Sequence, residues 1–377
     1  MLSYLKLENF KSAKDLEIDL RPLTVLAGLN GSGKSSVLQA VALLKQTLDQ
    51  GEAPKTLPLR GALVRLGRSE DVHFEGAETS KLALAIRSSA GLVRFVSAAK
   101  DEADTLELTV EGDWALLKRE LGTWFQFIQA DRMTPAPQYD QASTPDQQRG
   151  WLGCRGEFTV DYLQRNEGKR VTDGRLCPGD VFKLDAALLR LIAPTPRLGD
   201  QTAAWLQMLS PGVRLRAIPV DLADATSLRF QYTSTDIASS TREHRPSNVG
   251  FGLTYSLPII VACLAAESGA ILLLENPEAH LHPRGQAALG RLLAMCCADG
   301  VQIIVETHSD HLLNGIRVAV KQKAIDADSV ALHYFQREIL SGESQTESPR
   351  ILPDGQLDRW PEGFFDQWDK SLDALLD

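Results

Sequence analysis

The 377-residue chain lacks any apolar run of the roughly 20 residues that a membrane helix needs. Its greasiest stretch, "LTYSLPIIVACLAA", carries a proline and is bordered by Gly252 and Glu267, so a buried helix is expected there. The five cysteines are scattered without CxxC spacing, and a reducing cytoplasm fits. Adjacent Cys296 and Cys297 sit in a helical pattern and read as buried thiols. Positive charge is short as well. A net charge of −9 argues against coating nucleic acid with the whole surface, although a local basic groove stays open. The six tryptophans are spread without interleaved basic residues, so packing is favoured over a base-stacking platform. No internal repeat is found, and no heptad persists through residues 76–245, which excludes a long coiled coil. The N-terminus is charged from residue 6 onward and does not read as a signal peptide.

What is present is an alternation of strands and helices at both ends of the chain. "YLKLENF" and "LEIDL" have strand-like period two, and "LTVLAG" is an apolar strand running into a glycine loop. Beyond it Val37, Leu38, Val41, Leu44 and Leu48 mark an amphipathic helix. The middle changes character. "KLALAIRS", "LVRFVSAA" and "TLELTVEG" predict short antiparallel strands, and "WALLKRELG", "FTVDYLQRN", "VFKLDAALLRLIA" and "TAAWLQML" predict helices. From residue 248 the α/β pattern returns with "AILLLE" and "VQIIVET" as buried strands between helices, the mark of a parallel sheet covered on both faces. "QREILSGESQTESP" is polar enough to predict a mobile loop. The fold class expected is α/β, with a mixed or parallel sheet flanked by helices. Four parts follow: a first lobe at 1–75, an α+β insertion (arm or lid) at 76–245, a second lobe at 246–345 and a C-terminal segment at 346–377.

The stretch "GLNGSGKSS" satisfies G-x-x-x-x-G-K-S/T between a predicted strand and a predicted helix. Glycines let the backbone wrap phosphates, whose charge meets free N–H groups and the helix dipole. Asn30, Gly31, Ser32, Gly33, Lys34, Ser35 and Ser36 are the candidate nucleotide contacts. Lys34 would reach the β- and γ-phosphates of ATP, and the Ser35 hydroxyl would ligate Mg²⁺. A glycine-rich turn with an incidental lysine is the plain alternative, and the flanking strand and helix count against it.

A phosphate loop alone fits a kinase, a GTPase or a motor. "AILLLENPEAHLHP" narrows this, because four apolar residues ending in an acid put Glu275 at the tip of a buried strand, where a Walker B acid meets Mg²⁺ or its water. "VQIIVETHSDH" supplies a second such strand with His308 at its tip, able to donate to a γ-phosphate. In "SNVGFGLTYS", Asn248, Gly250 and Gly252 stand at the mouth of a helix, an anion-binding terminus suited to a phosphate presented by a second subunit. A zinc site from His280, His282, His308 and His311 is disfavoured because both loops are already explained by the nucleotide. A triad of Ser309, His308 and Asp310 fails on geometry, since consecutive residues cannot form one. Arg132 is either a nucleotide sensor or part of a surface ion pair.

The order of glycine loop, insertion, "NVGFG", "LLLENPEAHLHP" and "VETHSDH" resembles ABC-type ATPases of the SMC/RecF/OLD branch of prokaryotic AAA-family proteins. The tail "WPEGFFDQWDKSL" is similar to a short domain of unknown function with WP and FFD motifs that ends one subgroup. The resemblance implies Walker A at Gly28 to Ser35, the Walker B acid at Glu275, a signature motif at Asn248, Gly250 and Gly252, a D-loop from His280 to Pro283 and a switch histidine at His308. The Q-loop position, "LVRLGRSEDVHF", has no glutamine; Asp71 or Ser69 is the substitute. One departure bears on chemistry. Such enzymes carry Asp-Glu where this chain has Glu275-Asn276, and an amide orients water without accepting its proton. Glu278 is then the alternative carboxylate. The implied function is ATP binding, with slow or partner-dependent hydrolysis, in a head-to-tail homodimer that controls a separate effector protein, in anti-phage or anti-plasmid defence. A nucleotide-gated scaffold without turnover and a RecF-like repair ATPase remain as alternatives. DNA is left open as a partner, no membrane is expected, and the location expected is cytoplasmic.

Overall fold

The computed structural model describes residues 1–51, 53–122, 124–179, 193, 195–232, 241–364, 371–372 and 374–375. Two compact units divide the chain, the first made of Met1–Gly122, Ile304–Asp310 and Val320–Asp377. Its opening strands, β1 (Tyr4–Phe10) and β2 (Ala13–Asp19), bury alternate residues, as one-sided sheets do. β3 (Leu23–Gly28) is buried at every position up to Gly28, which is why its sequence is an unbroken apolar run. α1 (Lys34–Leu48) follows the glycine loop directly. Val37, Leu38, Val41, Leu44 and Leu48 are buried, but so are all its residues except Ser35, Gln39 and Lys45. It is a helix enclosed nearly all round and not the amphipathic one its spacing predicts. Next come β4 (Thr56–Pro58), α2 (Ser69–Val72), β5 (Lys81–Ser88), β6 (Gly91–Ala98), β7 (Thr105–Glu111) and α3 (Trp114–Leu121). The strands form an antiparallel sheet in the order β2-β1-β5-β6-β7-β4. In α1, Gln46 fixes the loop beyond β4: its amide donates to Pro58 O and accepts from the amides of Leu63 and Val64.

The second unit comprises Thr123–Ile303 and His311–Ala319. It begins with β8 (Phe125–Ile128) and β9 (Tyr139–Asp140), then α4 (Thr144–Arg149), α5 (Thr159–Asn166) and α6 (Leu198–Gln207). The hairpin of β10 (Val213–Val220) and β11 (Ala225–Tyr232) adds β9 to make a small antiparallel sheet. α7 (Phe251–Ala265) is buried almost all round from Leu253 on, which explains a greasy stretch without amphipathic period. β12 (Ile271–Glu275) pairs in parallel with β8 and leads to α8 (Pro283–Ala298). Cys296 and Cys297 are buried thiols, as the helical pattern suggested, and Cys263 is buried as well. Buried Arg175 holds this region, donating to Cys263 O at 3.0 Å and pairing with Asp299 at 2.6 Å. The helix expected at "VFKLDAALLRLIA" lies outside the described residues save Ala193.

β13 (Gln302–Thr307) enters the first unit at Ile304 and is followed by α9 (Asp310–Lys321), β14 (Val330–Arg337) and β15 (Ser344–Glu347). In the first unit the strands β15, β14, β3 and β13 lie side by side, with β14 parallel to β3. The loop expected across "QREILSGESQTESP" is instead an antiparallel hairpin, with Tyr334 opposite Glu347 and Arg337 opposite Ser344. Its polar sequence suits an edge strand and hid it. In the tail, Phe364 is buried with its ring 5.0 Å from that of Tyr334, and Trp360 stacks beside it at 5.7 Å. Phe365 lies outside the described residues. Among the described residues no helix is long and apolar enough to cross a membrane.

Candidate functional site: a phosphate loop and a clamped acidic turn

In the first unit the loop between β3 and α1 has the backbone that phosphate wrapping requires. Gly28 (φ 141°) and Gly33 (φ 101°) both take left-handed conformations, and both are crowded. A Cβ on Gly28 would lie 2.3 Å from Phe335 O, and one on Gly33 only 2.1 Å from Ser344 Oγ. The Ser344 hydroxyl is itself fixed, bonding Ser32 O at 2.8 Å and Ser12 Oγ at 2.7 Å. Asn30 and Gly31 are exposed at the loop tip, while Ser32, Lys34 and Ser36 are buried. The Lys34 ammonium crosses the loop to donate to Gly28 O at 3.0 Å and Leu29 O at 2.7 Å.

β13, beside β3, ends at this loop. Its Glu306 carboxylate lies 3.8 Å from Lys34 Nζ, with both side chains almost wholly buried. Burial pushes the Glu306 carboxyl above the ordinary carboxylate range, against the opposing pull of a Ser35 hydrogen bond and the Lys34 charge. Glu306 Oε2 is buried and has no hydrogen-bond partner. His308 is exposed, and its pKa is lowered by desolvation and by the Lys34 charge, against a backbone hydrogen bond with Gly28. The ring is thus held neutral, the form with one donor and one acceptor.

In the second unit Glu275 ends β12, where its Oε2 accepts from the Ala130 amide at 2.9 Å. The turn beyond it is clamped by Arg132, which is 0% exposed. The guanidinium donates to Glu275 O at 2.7 Å and Asn276 O at 2.8 Å, and lies 4.1 Å over the Tyr255 ring. Burial pulls its pKa down to about 10, partly offset by the nearby Tyr255, Glu278 and Glu275. Arg132 therefore remains charged at neutral pH, and it is neither a surface ion pair nor a free sensor. Asn276 adopts φ 42°, and its Oδ1 is buried without a partner. Asparagine is among the few side chains that tolerate this left-handed region. Glu278, two residues on, is 8% exposed.

The signature-like segment meets the turn within the same unit. Asn248 and Gly250 are exposed, and Gly250 caps α7. A Cβ on Gly252 would lie 2.6 Å from His280 O, so glycine permits this approach. The His280 ring packs edge-on against Phe251 at 4.7 Å and Tyr255 at 4.9 Å. His282 is the cap of α8, its Nδ1 accepting from the Arg284 amide at 3.3 Å. Of the Q-loop candidates, Asp71 accepts from the Arg68 amide and Ser69 from the Lys100 amide, so both hold local structure.

Residues 1–113 match the family described as AAA ATPase domain. Residues 206–314 match the AAA domain described as putative AbiEii toxin, Type IV TA system, and residues 325–375 match the protein of unknown function DUF3696. The fold matches a crystal structure of an Smc head bound to the C-terminal winged-helix domain of ScpA, with TM-score 0.54, 15% identity, and 93% and 98% of the two chains covered. A second Smc head, with an extended coiled coil and the ScpA C-terminal domain from Pyrococcus furiosus, matches with TM-score 0.54 at 14% identity, over 100% and 99% of the chains. The chain thus matches two AAA-domain models and has the fold of an SMC head. It is also 25% identical over 336 residues to the OLD nuclease of Thermus scotoductus, covering 82% of this chain. It spans 59% of that relative's length.

Glu306 escaped the reading of the sequence altogether, and Arg132, singled out there as a sensor or an ion pair, escaped it in its role as a clamp. Glu306 had a visible signal: "VQIIVE" repeats the pattern of an apolar strand ending in an acid that marked "AILLLE". Arg132 had none, because its partners Glu275 and Asn276 lie 143 and 144 residues away in sequence.

Proposed function

We propose that this chain binds ATP with Mg²⁺ on the loop Gly28–Ser36 and hydrolyses it, two copies closing head to tail around the nucleotide to control a separate effector. Lys34 carries the reading. Its buried ammonium already bridges the loop carbonyls of Gly28 and Leu29, the position from which a lysine exchanges carbonyl oxygens for β- and γ-phosphate oxygens. The loop amides and the start of α1 supply the remaining donors. Ser35 and Glu275 would hold Mg²⁺, which would supply positive charge against the charge developing on the phosphates. The orphaned buried oxygen of Glu306 beside Ser35 fits a site built for a cation. Neutral His308 donates to the γ-phosphate, Glu278 is the candidate to polarise water, and Asn276 orients it. The exposed Asn248 and Gly250, with Gly252, are assigned to the γ-phosphate held by the other copy. The AbiEii description and the OLD nuclease relative support a defence setting, and the ScpA complexes of the Smc heads support a protein partner.

A second reading, a nucleotide-gated scaffold without turnover, is favoured by one observation: the residue after Glu275 is an amide held in a left-handed turn. A RecF-like DNA clamp is the weaker alternative, given the net charge of −9. The test is ATP turnover measured with oligomeric state for wild type, Lys34→Ala, Glu278→Gln and Asn276→Ala. The proposal expects turnover in wild type, loss of nucleotide binding in Lys34→Ala, and a trapped ATP-bound dimer in Glu278→Gln. A wild type that binds ATP and dimerises without turnover replaces the engine with the scaffold. One that binds no ATP removes both.

A further inference from the structure

Given the ATP-binding reading on which this rests, we infer that Glu306 is the residue that makes nucleotide binding obligatorily dependent on a divalent cation. Its carboxylate sits 3.8 Å from the Lys34 ammonium at the end of β13, with side-chain exposures of 6% and 2%. Buried side by side, the two charges compensate each other, and Lys34 also bonds the loop carbonyls of Gly28 and Leu29. A triphosphate reaching Lys34 upsets that balance. Its anionic oxygens come within a few ångströms of a second buried anion, in surroundings where water screens poorly. One ammonium then faces both a phosphate and Glu306, so metal-free nucleotide is repelled.

A divalent cation on Ser35 reverses the sign. Ser35 is near enough to Glu306 to pull its pKa down against burial, and Glu306 Oε2 is buried with no hydrogen-bond partner. A buried carboxylate oxygen left without a donor is a costly arrangement, and it is satisfied by a cation or by the water that a cation carries. The carboxylate that repels bare ATP thus attracts the metal-bound form. Glu306 belongs to β13 and Glu275 to β12, so it is an additional acid and not a replacement for that one. It acts by positioning and charge, with no covalent part in the reaction.

The experiment is equilibrium binding of ATP to the full chain, with excess Mg²⁺ and separately with EDTA, for wild type, Glu306→Gln, Glu306→Asp and Lys34→Ala. Wild type is expected to bind Mg-ATP at least about a hundredfold more tightly than metal-free ATP. Glu306→Gln keeps the shape, removes the charge, and is expected to tighten metal-free binding by about tenfold or more while Mg-ATP binding stays level or weakens. Glu306→Asp keeps the charge and the cation dependence. If Glu306→Gln does not fold, Glu306→Thr removes the charge with a smaller side chain and gives the same reading. An Mg²⁺-to-EDTA ratio unchanged by loss of the charge overturns the inference while leaving ATP binding intact. Absence of ATP binding in wild type under both conditions fails the underlying reading instead, and Lys34→Ala reports that separately.

Discussion

Arg132 is expected to be worth more to the acidic turn than any residue within it, and the structure gives the magnitude. Its guanidinium makes two short hydrogen bonds, to Glu275 O at 2.7 Å and Asn276 O at 2.8 Å. Bonds of this charge-assisted kind contribute about 1.5–3 kcal/mol each. The contact with the Tyr255 ring at 4.1 Å adds about 2 kcal/mol when desolvated. Against this stands burial, which pulls the pKa down to about 10 and costs roughly 3 kcal/mol. Arg132→Ala is therefore expected to destabilise the protein by a net ~2–5 kcal/mol, read as a shift in the urea midpoint at unchanged slope. A cycle with Tyr255→Leu should show a coupling of about 1–2 kcal/mol. A loss below about 1 kcal/mol in Arg132→Ala would refute the clamp, because the two carbonyls would then have found other donors. In samples still folded, ATP turnover should fall while Lys34-dependent ATP binding persists.

Gly33→Ala should abolish ATP binding, because its Cβ would sit 2.1 Å from a hydroxyl that Ser12 and Ser32 already hold in place. Gly31→Ala has open space at φ 74°, so a conformational cost of about 1 kcal/mol and retained binding are expected in the same titration. His333, buried between Asp19 O and Ser348 Oγ, has its pKa lowered by desolvation, so the folded state prefers the neutral ring. Its contribution to stability is present above the unfolded value near 6.5 and is lost as pH falls from there through the folded value; His333→Gln should flatten that part of the unfolding profile. Phe364→Ala should cost about 3 kcal/mol or more, and Trp360→Ala, at 53% exposure, far less; equal effects by thermal melting would contradict the packing of the tail.

The parts legible in the sequence are those where one stretch of chain decides its own surroundings. β3 and β12 are buried along nearly their whole length and read as apolar runs. The glycine loop is equally local. What escaped depends on distant neighbours. Ser344, predicted to lie in a loop, forms the edge strand β15 and fixes the Gly33 backbone through Ser32 O, across 312 residues. Glu306 gains its meaning from the adjacency of β13 to β3, which no single segment encodes. The compact division after Gly122 has no compositional mark in the sequence.

Asn276 is where fold and chemistry constrain each other most tightly. Its backbone lies at φ 42°, a region that asparagine, aspartate and glycine enter cheaply and a longer or branched side chain enters at a cost of about 1–2 kcal/mol. A glutamate in the ordinary catalytic position would therefore strain the very turn that Arg132 clamps. Two substitutions separate the backbone requirement from the amide's chemistry. Asn276→Gly should leave stability within about 0.5 kcal/mol, since it meets the φ requirement and removes an Oδ1 that has no partner. If ATP turnover survives in Asn276→Gly, the amide does not orient water, and the carboxylate of Glu278 carries that task. If turnover is lost while ATP binding and stability hold, the amide is part of the chemistry. Asn276→Asp places a carboxylate there without backbone strain, and its turnover relative to wild type then measures how much a proton acceptor at that position adds.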